Sequence, residues 1–228
     1  MSDSMETDLK NSDNTLRKMI PLSFGEEVGN SVSHGVASFL TLIALPYAAV
    51  KSYIEFGGIG ALSVSIFVIS IFLMFMSSTI YHTMPSYSSH KLVLRIIDHS
   101  MIYVAIAGTY TPVCILVVGG WLGWSAMLIL WGITIWGVLY KSLSKNVSHK
   151  LSLTMYLVMG WIGVLFIPTI LFDTSLTFML FILFGGIAYT VGAWFYAQKE
   201  RTYFHMIWHF FIMFASICHF IAIVYFIK

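Results

Sequence analysis

Five residues in this chain could together form a metal-dependent reaction centre: Ser78 and His82 in Ser-Ser-Thr-Ile-Tyr-His, Asp98 in Arg-Ile-Ile-Asp-His-Ser, and His205 and His209 in His-Met-Ile-Trp-His. All five lie toward the ends of long apolar segments, where an ionisable side chain is costly and marks a functional site by default. Residues four apart on a helix share a face and differ in height by about 6 Å, which sets Ser78 beside His82 and His205 beside His209. Two helices can then bring three imidazoles to one point. Zinc takes four tetrahedral ligands, and a catalytic zinc keeps three from the protein and leaves one position to water. In such a site Asp98 contacts that water, taking its proton, or contacts a ligand, while Ser78 donates to a developing oxyanion or positions a carbonyl. The competing account is a set of interhelical hydrogen bonds without a metal. A His-x-x-x-His pair lacking the Glu of the metalloprotease motif decides little by itself, whereas three elements at one depth favour the metal. A His-rich set admits several divalent ions, so spacing alone does not choose among them.

The elements that position these residues follow from composition. With 58% hydrophobic and 10% charged residues and a mean hydropathy of +0.86, the chain is far from the soluble-domain average of about one quarter charged. An all-α integral membrane protein is predicted. A helix needs about 20 apolar residues to cross the hydrocarbon core, and seven runs near that length occur, at about 31–50, 60–84, 93–118, 121–140, 151–171, 176–197 and 204–227. They make one seven-helix membrane domain over residues 22–228. Residues 1–21 read as a disordered polar tail, with no apolar stretch behind Met1 to serve as a cleaved secretory signal. Residues 22–30 are too short and too acidic to cross, and fit a brief helix lying along the interface. Cys114 and Cys218 sit inside apolar runs at no metal or redox spacing and read as small buried side chains.

Orientation follows from counting basic residues on alternate sides of these spans. One side holds Lys10, Arg17, Lys18, Lys91, Arg95, Lys141, Lys145, Lys150, Lys199 and Arg201, and the other only Lys51 and Lys228. Ten against two places the amino terminus in the cytoplasm and the carboxyl terminus outside. His82, Asp98, His205 and His209 then share the inner leaflet. Glu26, Glu27 and His34 lie on the same side and would line the entrance to the site, although the two carboxylates would equally favour a helix amino terminus. His99 is turned about 100° from Asp98 and faces a neighbour or the interface; His219 lies about 21 Å along the helix from His205, too far to share a metal. His90 and His149 are placed in solvated loops. The basic residues form no nucleic-acid-binding stripe, and the expected partner is membrane lipid.

The chain resembles the bacterial hemolysin III proteins of the progestin and adipoQ receptor superfamily. The likeness rests on Glu26-Glu27 with Asn30-Ser31-Val32-Ser33-His34-Gly35, on Ser77-Ser78-Thr79-Ile80-Tyr81-His82, on Asp98 through Tyr103 with Ala107 through Pro112, and on His205-Met206-Ile207-Trp208-His209. It implies a seven-helix bundle with zinc near the cytoplasmic face, bound by residues matching His82, His205 and His209, with Asp98 beside a zinc-bound water. The wider superfamily includes alkaline ceramidases, which hydrolyse lipid amides. In the receptor branch a Ser follows the third-span Asp by four residues; here that position is Ile102, which leaves Ser78 as the motif hydroxyl. Together these readings describe a zinc-binding membrane protein that hydrolyses a lipid amide or ester or regulates membrane lipid homeostasis. A lipid-sensing receptor with a structural zinc and a pore-forming hemolysin or channel are the alternatives. Polar groups gathered at one leaflet weigh against a path across the membrane.

Overall fold

The structure is a computed structural model that describes residues 22–85, 88–144, 146–171, 174–198 and 200–227. The polar tail, together with Lys145, Lys199 and Lys228, lies outside them. The described residues form helices α1 (Phe24–Thr83), α2 (Ser89–Pro112), α3 (Gly120–Leu143), α4 (His149–Trp161), α5 (Ile167–Ile170), α6 (Leu176–Ala197) and α7 (Phe204–Phe226). A π-helical turn, Val113–Val118, follows α2, and a 3-10 segment, Ile162–Phe166, joins α4 to α5.

Among the described residues six helices are long and apolar enough to cross a membrane, and the first carries two crossings. A straight helix of 60 residues would run about 90 Å, three times the thickness of a hydrocarbon core. Instead the Ser31 hydroxyl lies 2.8 Å from that of Thr83, 52 residues away, so α1 doubles back on itself. The reversal is at Gly57, whose φ of 66° and ψ of −157° belong to a region open essentially to glycine alone. Its two antiparallel arms, 24–56 and 58–83, supply the first and second of seven crossings. A polytopic helical membrane bundle is therefore the fold.

The stretch 22–30, expected as a brief interfacial helix leading straight into the first span, is the opening of that span's own helix. Ser23 caps α1, its hydroxyl accepting from the Glu26 N–H while the Glu26 carboxylate accepts from the Ser23 N–H. Helix therefore begins at Phe24 and runs directly into the first arm. The later spans end close to where their apolar runs end, and α6 coincides with 176–197.

Lipid contributes no hydrogen-bond partners, so hydroxyls inside the helices bond to carbonyls one turn back, as Thr41 does to Ala37 and Thr109 to Ala105. Side chains such as Trp121, Leu165 and Leu176 are more than 70% exposed, as the lipid-facing surface of a bundle requires. Small residues let the helices touch. A Cβ on Gly108 of α2 would lie 2.4 Å from that of Ser70 on the second arm, and one on Gly137 of α3 would lie 2.7 Å from the Tyr103 ring. At Gly185 of α6, a Cβ would meet the His219 ring at 2.3 Å, and that ring is held by an Nε2–H donated to the Ile182 carbonyl at 3.2 Å. Gly185→Ala is expected to cost about 1–3 kcal/mol through this overpacking, lowering the melting temperature of the purified protein in detergent.

Candidate metal centre

His82 stands in the last turn of α1, and His205 and His209 stand in the first two turns of α7. The start of α7 is fixed by Tyr203, which takes a left-handed backbone (φ 63°) and donates its N–H to Glu26 Oε1 at 2.7 Å. The amino end of α1 is thereby tied to the helix that carries two of the imidazoles. One nitrogen from each of His82, His205 and His209 falls within 4.8 Å of the other two, and all three residues are buried. The Nε2 atoms of His82 and His205 are 3.2 Å apart. Two nitrogens bound tetrahedrally at about 2.0–2.1 Å are separated by about 3.3 Å, so this edge already has the length a metal needs. The Asn30 main chain lies beside the His209 ring, whose nitrogens make no well-aligned hydrogen bond to a described side chain. A buried imidazole with nitrogens left over can serve as a ligand.

Glu27 sets the tautomer of His82. Its Oε2 lies 2.6 Å from His82 Nδ1, so Nδ1 carries the proton and Nε2 is left with its lone pair toward His205. Glu27 is held in turn by Lys91, whose Nζ donates to Oε1 at 2.5 Å and to the Met84 carbonyl at 2.8 Å while lying 5.1 Å over the Tyr81 ring. A carboxylate behind a ligating histidine is the usual arrangement for orienting a metal ligand and raising its basicity. Glu26, one residue earlier, is spent on Ser23 and Tyr203. His34 is 2% exposed and lies flat against His209, ring centres 3.6 Å apart.

Asp98 is buried on α2, outside the set of nitrogens that converge. The Ser78 hydroxyl hydrogen-bonds to it, and Arg95 and Lys141 are the nearby cations. His99, the next residue, has Nδ1 at 2.8 Å from the Arg95 carbonyl, which can only accept, so Nε2 accepts from the Tyr196 hydroxyl at 2.9 Å. Tyr156 donates to the His99 carbonyl at 2.7 Å. Tyr81, His82, Arg95, His99, Tyr196 and His205, with Leu22, line a cleft of about 30 Å³, enough for ordered water. His149 is not a loop residue: it opens α4 with its ring edge against Tyr196 at 4.8 Å.

Three residues at this end escaped the sequence reading. Lys91, Arg95 and Lys141 were counted as loop charges, yet each is at least nine-tenths buried. A signal was present on α2, where Lys91, Arg95 and Asp98 recur at i, i+4 and i+7 on one helix face.

A polytopic helical membrane protein with three buried imidazoles converging at one end is the class that fold and site define. The profile of the family described as Haemolysin-III related matches residues 22–220. The chain is 33% identical over 201 residues to a hemolysin-3 homolog of Bacillus subtilis (strain 168), covering 88% of this chain and 94% of that one. To the hemolysin-3 of Bacillus cereus it is 30% identical over 202 residues, covering 89% and 92%. The chain belongs to the haemolysin-III related family.

Glu27→Gln is expected to weaken binding of a divalent transition metal by about 10–100-fold, because an amide holds the His82 N–H less strongly and leaves its ring less basic. Competition with a chromophoric chelator measures the change.

Proposed function

We propose that this protein is a zinc-dependent hydrolase of a lipid amide or ester bond. The observation that carries the reading is the convergence of His82, His205 and His209 at metal-binding separation, with a buried carboxylate, Asp98, on α2, which packs against the helix that carries His82. Three protein nitrogens leave one position open, the pattern of catalytic rather than structural zinc. When bound there, zinc supplies Lewis acidity and lowers the pKa of a water to about 7. His82 presents Nε2 because Glu27 holds its Nδ1–H. Asp98 is the group suited to accept a proton, with its carboxylate oriented by the Ser78 hydroxyl and by the positive charges of Arg95 and Lys141. Ser78, committed to Asp98, positions that carboxylate first and reaches a substrate oxygen only by exchanging partners. The cleft beside His82 and His205 admits water, and the acyl chain lies among the helices in the substrate's own phase. The name hemolysin, borne by the Bacillus cereus relative, is compatible with this reading, since released fatty acids and lysolipids themselves disrupt membranes.

Asp98→Asn is expected to keep zinc and fold but to lose 10²- to 10⁴-fold in rate, roughly 3–5 kcal/mol of transition-state stabilisation. Zinc content, melting temperature and fatty-acid release from vesicles of total membrane lipid, taken on one preparation, give the comparison with wild type. A zinc-loaded, folded and fully active variant removes the hydrolase reading. Release by neither protein, with lipid composition in cells still tracking zinc content, leaves the site to a lipid sensor with structural zinc.

The site end belongs in the cytoplasm on the same reading. Lys91, Arg95, Lys141, Lys150 and Arg201 lie at the end of the bundle that carries Leu22, while Lys51 pairs with Glu55 at the opposite end, over the Tyr225 ring. A phosphatase fused after Lys228 is expected to be active outside the cell and a cytoplasmic reporter there inactive; the reverse pattern inverts the orientation.

A further inference from the structure

The first arm of α1 holds none of the three converging histidines, yet it carries the bundle's most conspicuous unpaired polarity. Asn30, His34 and Ser38 stand at i, i+4 and i+8 on one face, each no more than 2% exposed. The Asn30 amide and the Ser38 hydroxyl hydrogen-bond to no described residue, and the His34 ring lies beside the His209 main chain. Leaving such a group buried and unpaired costs about 1–3 kcal/mol.

The ring of His34 shows what this face lies against. One face lies on His209 with centres 3.6 Å apart and planes 6° from parallel, and the ring also meets Phe75 at 4.9 Å in an edge contact. Aromatic rings prefer offset or edge-to-face pairing, because two electron-rich faces set over one another repel. That objection disappears when His209 gives a lone pair to a divalent cation. Its ring then loses electron density to the metal and becomes the positive partner of the His34 face, as in a cation–π contact. The stack therefore suits a metal-loaded His209 better than a free one. Asn30 adds to it: when one His209 nitrogen faces a cation, the other carries a proton and needs an acceptor, and the Asn30 main chain lies beside that ring.

We propose that His34 is a positioning residue for the metal ligand His209, its ring holding the plane of that imidazole and favouring the cation bound to it. The inference rests on reading the three histidines as a metal site and extends that reading to an arm with no ligand of its own. Glu27 and His34, seven residues apart and so on one face, then stand behind two different ligands, His82 and His209. By linkage, the factor by which a docked first arm raises metal affinity is the factor by which bound metal favours docking.

The test compares the full-length wild type with His34→Ala and His34→Phe, each stripped and reloaded with zinc or cobalt(II). Chelator competition gives zinc affinity, the visible spectrum of the cobalt forms reports ligand geometry, and melting of the metal-free forms reports fold. The expected result is a loss of about 10–100-fold in zinc affinity for His34→Ala with an altered cobalt spectrum and an unchanged metal-free melting temperature. His34→Phe, which keeps a π face, should stay within a few-fold of wild type. Three outcomes overturn the proposal: an Ala variant with wild-type affinity and spectrum, a Phe variant as weak as Ala, or an Ala variant that fails to fold without metal, which makes the role structural. Failure of the wild type to bind any divalent metal instead removes the underlying reading, and is seen before any variant is compared.

Discussion

A polar group in the interior of a lipid-embedded bundle has no water to turn to, and this constraint organises the whole structure. It requires the backbone to be helical, with each N–H and C=O bonded within its own segment. It turns hydroxyls such as Thr41 and Ser70 back onto carbonyls of the preceding turn. It also separates polar side chains into two kinds. Some bond to another helix, like His219 Nε2 to the Ile182 carbonyl or Tyr189 to Ser216. Others, like the Asn30 amide and the imidazoles of His34 and His209, lie buried with polar atoms that make no well-aligned hydrogen bond to a described side chain. The first kind holds helices together, and the second concentrates at one end of the bundle.

That end is assembled by the reversal at Gly57. Because α1 doubles back, Glu27 reaches His82 across 55 residues of sequence, and one short stretch of the first arm meets four partners. Glu26 takes the Tyr203 N–H at the start of α7, Glu27 takes His82 and Lys91, and His34 lies on His209. Adjacent residues on a helix point about 100° apart, which is why two neighbouring carboxylates do different work. Glu26 fixes where α7 begins, whereas Glu27 fixes which nitrogen His82 presents.

Much of this was legible in the sequence because hydropathy and helical spacing are local. Apolar runs of bilayer length located the spans, and the i, i+4 spacing of His205 and His209 put both on one face. What could not be read depends on tertiary geometry. Glu27 was read as an entrance or cap residue because its partner is fixed by the hairpin rather than by spacing. Lys91, Arg95 and Lys141 were counted by side of the membrane, a count that says nothing about which way a side chain faces. Residues 22–30 read as a brief interfacial helix because they are short and acidic, when their two carboxylates are turned onto Tyr203, His82 and Lys91.

The contrast between His209 and His219 bears on the kind of chemistry the bundle can support. Both are buried on α7, ten residues and so about 15 Å apart along its axis. His219 spends Nε2 on a carbonyl, and Gly185 clears the space its ring fills. Its setting is that of a helix contact in mid-membrane. His209 has two imidazole neighbours with converging nitrogens, a third imidazole on its face, and the Glu27 carboxylate behind one of those neighbours. A conduit would need a chain of unspent polar groups from one end of the bundle to the other. Those around His209, with Asn30 and His34 on the first arm, gather instead toward the end that carries Glu27 and Lys91.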